Sequence, residues 1–365
     1  MQNDIISKVV FKVNHAGGSG TCFYLKKHNL FITNFHVVKG FHEVSIEDTE
    51  KERFLAKVIL INPVADLAFL ATENDFTHLP ELELNLEREL TMGEQINVVG
   101  YPFGMPYTIT DGTISAPKQL LEGKTFIQTD AAVNPGNSGG PMFDQSNKVI
   151  AVTVSKITDA DNMGFGIPAI MLNEMLAHAT AIDRSQFAVQ CNSCNTLITT
   201  KTQYCSSCGN KIDDKLFNKN SLTDLAVFCE EAITNMGINP VLARVGYESW
   251  RFHRGSSEIR LFVYDRSYLF ATSPINILPK QNLESLLRFL LSADIQPFVL
   301  GIHNNDIFVS YRVHLSDVFS DEGEKVKKNI TDLAQKADDL DNYLNETFGC
   351  EFSQYAKEGN FQTGR

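Results

Sequence analysis

The sequence predicts a multidomain fold: an all-β region first, a small cysteine-rich module next, and an α+β domain last. Three observations point there. Short apolar runs broken by turn residues fill about the first 175 positions. Four cysteines, Cys191, Cys194, Cys205 and Cys208, gather where apolar content collapses. After Asp214 the apolar spacing alternates between helical and strand periods. A length of 365 residues agrees with about two to three domains.

In the first region Val9, Phe11 and Val13 alternate, "HAGGSG" turns the chain, and "TCFYL" follows. Further strand-like runs are "LFIT", "AKVILI", "LAFLA", "INVVGY", "TFIQT" and "VIAVTVS". Strands this short and this frequent predict an antiparallel sandwich or barrel. A helix should follow, with Pro168 in its first turn and Ile170, Leu172, Met175, Leu176 and Ala179 on its apolar face. Polar residues from Thr180 to Gln186 read as a linker, so the first domain takes 1–180 and the cysteine module 187–212.

The third domain takes 218–350. Leu222, Leu225, Ala226, Cys229 and Ile233 form a helical stripe, and "EIRLFVY" and "SYLFAT" read as strands. A second helix carries Leu283, Leu286, Leu287 and Leu290. "FVLGI" and "DIFVSYRV", split by "HNN", read as a hairpin. A last helix lines up Val326, Ile330, Leu333, Ala337, Leu340 and Leu344. The order is α-β-β-β-α-β-β-α, and the tail after Phe352 should fray. Trp250 suits core and interface equally.

A hydrophobic share of 43% with 21% charged residues is that of a soluble globular protein. The formal charge of −12 argues against a general nucleic-acid or anionic-membrane binder. "MQNDIISKVVFKV" lacks the pattern of a secretory leader, which leads to the expectation of a cytoplasmic protein. Seven cysteines, an odd count, fit that compartment better than a disulfide framework.

"AAVNPGNSGGP", Ala131 to Pro141, places Ser138 among residues that cannot fill a core. Such clusters are often plain surface turns. They also suit a nucleophile on a tight loop with main-chain N–H groups facing a carbonyl. A serine nucleophile needs a histidine base and a carboxylate to hold the base's tautomer. "FITNFHVV" supplies His36 at the end of an apolar run, and "PVADLAFL" supplies Asp66 just ahead of another. Each has a bland reading alone, but together they follow the His, Asp, Ser order of chymotrypsin-like barrels.

"GSGTCFYL", "TNFHVV", "DLAFL", "VVGYPFG", "FIQTDAAVNPGNSGGP" and "MGFGIP" resemble successive landmarks of the HtrA-type trypsin-like serine proteases. The resemblance implies an all-β double-barrel chymotrypsin-like fold, with His36 as general base, Asp66 orienting it and Ser138 attacking the peptide carbonyl. It implies an oxyanion hole from the N–H groups of Gly136 and Ser138, and a substrate pocket at Ala132, Thr153 and Phe165. An apolar pocket base at Ala132 implies cleavage after small or medium aliphatic residues, with nearby Asp130 structural. This chain departs from the family where PDZ domains normally follow and where N-terminal segments normally support trimers. Asn137 also stands where digestive trypsins have an activating aspartate.

"CNSC" and "CSSC", ten residues apart, have the spacing of a zinc ribbon in which Cys191, Cys194, Cys205 and Cys208 hold one structural Zn2+. Lys201 and Lys211 are the only charged residues from Phe187 to Ile212, so a brace between domains is favoured over a nucleic-acid reader. Triad chemistry should then survive loss of the ribbon, because all three residues lie upstream. Cys22, Cys229 and Cys350 read as reduced, packed thiols. The third domain resembles the YbjN and type III secretion chaperone-like fold, mainly through "SPINILPKQNLESLLRFLLSADIQPFVLGIHNNDIFVSYRV". That resemblance implies a protein- or peptide-binding module. The functional expectation is a serine endopeptidase acting on protein or peptide substrates and switched by a regulatory protein partner at the C-terminal domain. Such a protease fits a bacterial stress or defence pathway. The alternative is an idle protease fold serving as a scaffold; a nucleic-acid sensor runs against the acidic balance.

Overall fold

The computed structural model describes residues 2–154 and 163–356. The expected frayed tail falls largely on 357–365, outside the described residues. The chain divides into two compact units, Met1–Ser221 and Leu222–Arg365.

In the first unit a short helix α1 (Gln2–Ser7) precedes strands β1 (Val10–His15), β2 (Gly18–Leu25) and β3 (Leu30–Thr33). A single helical turn α2 (Phe35–Val38) follows, then β4 (Glu43–Glu47), β5 (Arg53–Asn62) and β6 (Leu67–Ala71). These strands run in the order β5-β4-β1-β2-β3-β6, and pairing of β5 with β6 closes them into a six-stranded barrel. Both faces of most strands are covered. Successive residues of β2 part between two apolar clusters, Phe23 and Leu25 in one, Cys22 and Tyr24 in the other. The strands therefore read as unbroken apolar runs and not as clean alternation.

The second barrel contains β7 (Gln95–Gly100), β8 (Thr108–Leu121), β9 (Lys124–Thr129), β10 (Pro141–Asp144), β11 (Val149–Val154) and β12 (Gly164–Pro168). It closes in the order β10-β11-β12-β9-β8-β7. The sequence-level choice between sandwich and barrel resolves as two barrels joined by a shared core that includes Phe23, Phe69, Val99, Phe143 and Phe165. Helix α3 (Ala169–Ala179) then packs Leu172, Met175, Leu176 and Ala179 into that core. Ile170, expected on the apolar face, is 50% exposed, and Ala169 is buried instead.

The cysteine module forms a hairpin of β13 (Ala188–Gln190) and β14 (Leu197–Ile198) within the first unit. It is not merely tethered there. β13 pairs in parallel with β5, Ala188 opposite Leu60 and Val189 opposite Ile61. β5 meets β4 through Lys57 and β6 from Lys57 onward, so β13 takes the edge that β4 leaves free.

The second unit opens with α4 (Asp224–Asn235), capped by the Thr223 hydroxyl, which accepts from Ala226 N at 3.1 Å. A turn α5 (Pro240–Ala243) leads into β15 (Arg244–Gly246), β16 (Ser249–Arg254), β17 (Ser257–Tyr264) and β18 (Tyr268–Ile277). Next come α6 (Leu283–Ser292), β19 (Val299–His303), β20 (Asp306–His314), a turn α7 (Leu315–Val318), the long α8 (Gly323–Phe348) and β21 (Glu351–Phe352). The sheet order is β15-β16-β17-β18-β20-β19, with β21 beside β18. β18 continues past the expected "SYLFAT" through Pro274, where a register shift before Asn276 accommodates the missing N–H. Asn304 and Asn305, both at positive φ, make the β19–β20 turn. α8 buries the expected stripe and stops at Gly349, φ 70°. Of the four expected α6 leucines only Leu286 is buried. Trp250 is core: its Nε1 donates to Glu230, whose carboxylate also holds Arg244 bidentately at 2.7 and 2.8 Å. Cys22, Cys229 and Cys350 are buried, and burial raises all three thiol pKa values. No helix among the described residues is long and apolar enough to cross a membrane.

Candidate active site

His36 lies on α2, directly after β3, and Asp66 ends the turn between β5 and β6. Pairing of β3 with β6, Thr33 opposite Ala68, brings these two strand ends together. Four hydrogen bonds then fix Asp66. Its Oδ2 lies 2.7 Å from His36 Nδ1, and its Oδ1 accepts the His36 main-chain N–H at 2.9 Å. Its carbonyl accepts from Phe35 N at 3.1 Å and from Asn34 Nδ2 at 2.9 Å. The residue sits at φ 54°, a conformation Asp tolerates better than most side chains. An ionised carboxylate only accepts, so the imidazole proton belongs on Nδ1 and the lone pair on Nε2. An imidazole in that tautomer can take a proton from a hydroxyl.

Ser138 lies on the loop between β9 and β10 and is 3% exposed. That loop is tied to the first barrel through Thr21. Thr21 N donates to Ser138 O at 2.9 Å, and the Thr21 hydroxyl donates to Gly136 O at 2.6 Å while accepting from Tyr101 N at 3.1 Å. Gly20 marks how closely the two sides meet. A Cβ there would fall 2.6 Å from Val37, the neighbour of His36, and 3.3 Å from the Ser138 carbonyl.

Gly136 adopts φ 100°, and a side chain there would strike the Tyr101 carbonyl. Phe103 N donates to Pro135 O at 2.6 Å. In a trans peptide the next N–H points opposite that carbonyl, so the Gly136 N–H is turned away from Phe103. Among the described residues it has no hydrogen-bond partner, whereas Asn137, Gly139 and Gly140 donate to Asn134, Thr153 and Asn137 carbonyls.

Ala132 is exposed at the start of this loop, and Thr153 is buried with its carbonyl accepting Gly139 N at 3.0 Å. Phe165 does not face the loop. Its ring packs against Phe126, centroids 6.2 Å apart, in the core between the barrels. Strand residues alternate sides, and it is the neighbouring Gly164 whose Cβ position abuts Val133 and Ala131. Asp130 accepts both the N–H and the hydroxyl of Thr113, which hold its carboxyl below the usual carboxylate range. The sequence reading did not single out Thr21 or Asn34 for any role.

The four module cysteines bring their Sγ atoms within 4.8 Å of one another, a set that could hold a metal ion. Cys191 and Cys208 are 3.7 Å apart, Cys194 and Cys205 3.6 Å. Two matching knuckles create this. Asn195 N donates to Cys191 O and Gly209 N to Cys205 O, each at 2.9 Å, and both donors lie at positive φ. The Thr196 hydroxyl, 3.1 Å from Cys194 Sγ, draws that thiol down to about 6.

A trypsin-like peptidase domain profile matches residues 20–152, a span holding His36, Asp66 and Ser138. A probable periplasmic serine endoprotease, DegP-like, from Hahella chejuensis is 35% identical over 183 residues, 48% of this chain and 39% of that one. The corresponding Chlamydia trachomatis protein is 32% identical over 164 residues, 43% of this chain and 33% of its own length. Protease Do-like 1, chloroplastic, from Arabidopsis thaliana is 31% identical over 161 residues, 41% of this chain and 37% of its own length. The chain thus spans well under half the length of these curated relatives. A solved structure of the HtrA-type protease AlgW with a tripeptide is 27% identical, covering 49% of this chain and 62% of that one at a TM-score of 0.45. The bacterial relatives are named periplasmic, which overturns the cytoplasmic expectation. Compartment is set by targeting segments and not by the folded barrels, so the barrels themselves carry no sign of it. Residues 20–152, which match a trypsin-like peptidase domain, lie within a double barrel that carries His36, Asp66 and Ser138 and are similar in sequence to serine endoproteases of the DegP type.

Proposed function

We propose that the protein is a serine endopeptidase that hydrolyses peptide bonds of protein substrates through His36, Asp66 and Ser138. The observation that carries this reading is the double contact of the Asp66 carboxylate with His36, 2.7 Å to Nδ1 and 2.9 Å to the main-chain N–H. With Nδ1–H held by Asp66, Nε2 takes the Ser138 hydroxyl proton as Oγ attacks the substrate carbonyl. The carbonyl oxygen becomes an oxyanion facing the N–H groups of Gly136 and Ser138. His36 then returns the proton to the leaving amine, and water repeats the sequence to free Ser138. A fluorophosphonate probe tests this: it should attach to Ser138 in the wild type and not in a Ser138→Ala variant. Robust peptide hydrolysis by Ser138→Ala would falsify the assignment.

Cleavage should follow Val, Ala or Leu. Ala132 offers no charge to a substrate side chain, and the Asp130 carboxylate is engaged by Thr113. A peptide library in which Arg or Lys dominates the residue before the cut would overturn this.

The four cysteines fit a structural zinc ion. Zinc–sulfur bonds of about 2.3 Å in a tetrahedron place thiolates ~3.8 Å apart, close to the separations here. The second unit has its own apolar core and holds none of the groups named above. It is the natural seat for a protein partner that switches the protease, as a stress or defence role would require.

A further inference from the structure

Asn62 ends β5 and governs the turn that delivers Asp66. Its Oδ1 accepts Val64 N at 3.0 Å and Ala65 N at 2.9 Å, an Asx turn that carries the chain directly into Asp66. Two main-chain donors fix which end of the amide is oxygen, so Nδ2 is aimed the other way. There it donates to Gln190 Oε1 at 3.0 Å, in a contact where Asn62 is 8% and Gln190 2% exposed. Gln190 is the last residue of β13 and the immediate neighbour of Cys191. The same module packs Phe187 and Val189, with Leu216 just beyond it, into the apolar cluster that holds Phe35, Val37 and Val38 around His36. Both halves of the His36–Asp66 pair therefore rest on the cysteine module.

We propose that Asn62 and Gln190 are positioning residues of the protease, through which the metal-holding ribbon sets the alignment of the Asp66 carboxylate against His36. This rests on the protease reading above and adds a control to it. With Gln190 held, the Asn62 amide cannot rotate, the turn at 63–65 keeps one form, and Asp66 presents both oxygens to His36. Without it, Nδ2 is a buried donor lacking an acceptor, and the turn relaxes to bring it to water. The expectation that triad chemistry survives ribbon loss is thereby replaced. The upstream residues are all present, but the strand that steadies them lies downstream.

The test compares wild type, Gln190→Leu, Asn62→Ala and Asn62→Asp on a short peptide anilide ending in Val. It is read together with metal content and with the far-downfield proton resonance of His36 Nδ1–H. Gln190→Leu should keep its metal and its KM while kcat falls about a hundredfold, the scale expected for a remote misplacement of catalytic groups. The downfield resonance should weaken with it. Asn62→Ala should behave alike, whereas Asn62→Asp should recover most of kcat, because a carboxylate caps the same amides and a flipped Gln190 amide can donate to it. Chelating the metal should lower wild-type kcat and the resonance to the Gln190→Leu level and leave Gln190→Leu itself unchanged. Should Gln190→Leu fail to hold metal, Asn62→Ala carries the test with every ribbon residue intact. Wild-type kcat and an intact resonance in Asn62→Ala, or a resonance indifferent to chelation, would overturn the proposal. A wild type inert to probe and peptide would instead overturn the protease reading, while the resonance still decides the alignment.

Discussion

Exchanging Asp66 for asparagine will slow acylation of Ser138 by about ten-thousandfold, the scale set by loss of the correct imidazole tautomer. Asp66 now accepts twice from His36, at the main-chain N–H and at Nδ1. Asparagine has one acceptor end. Whichever way its amide lies, its NH2 group faces either the main-chain N–H or the ring. The low-energy arrangement keeps the main-chain bond and turns NH2 to the ring, so Nδ1 must accept and the proton moves to Nε2. The base then has no lone pair to offer Ser138. The fold should not suffer, since asparagine tolerates the φ of 54° at this position. Burst kinetics with an activated ester would show the loss in the acylation step with KM nearly unchanged. A variant that acylates at a rate close to wild type would remove Asp66 from the mechanism.

What the sequence disclosed about this site follows from distance along the chain. His36, Asp66 and Ser138 each sit in a local pattern of apolar strand and tight turn, so their types and order were readable. The groups that hold them were not. The Thr21 hydroxyl reaches Gly136 across 115 positions, and Asn62 reaches Gln190 across 128. Neither contact leaves a periodic or compositional trace. β13 is three residues long, too short for any period to register, and its pairing with β5 is parallel. The cysteine module therefore read as a small domain of its own at 187–212, and the pairing of its first strand with the first sheet went unseen. Phe165 shows the opposite failure. A resemblance carried it into a pocket, but strand alternation turns its ring into the core and leaves Gly164 facing the loop. In α6 the apolar spacing was correct and burial did not follow, since spacing gives a face and not what covers it.

The second large effect belongs to the cysteines. Replacing Cys191 and Cys194 together by serine will release the metal and unfold the module from β13 onward. Its own buried apolar core is Ile198 and Ile212 together with Cys191 and Cys205, far too little to order a segment of this length. A structural zinc contributes about 10–16 kcal/mol of apparent binding energy, and half a ligand set cannot retain it. The knuckle bonds at Asn195 and Gly209 position thiolates and would close around nothing. Hydrogen exchange would report the change as lost protection at Ala188 and Val189, which pair with Leu60 and Ile61 in the intact protein. Elemental analysis would report it as lost zinc. With β13 gone, β5 is left with an open edge beyond Lys57 and Asn62 without its acceptor, so hydrolysis should fall in step with metal loss. Protein purified without chelators that contains no metal would sink the zinc reading. A double variant that keeps protection at Ala188 and Val189 would show that the barrel edge, and not the ion, holds this strand in place.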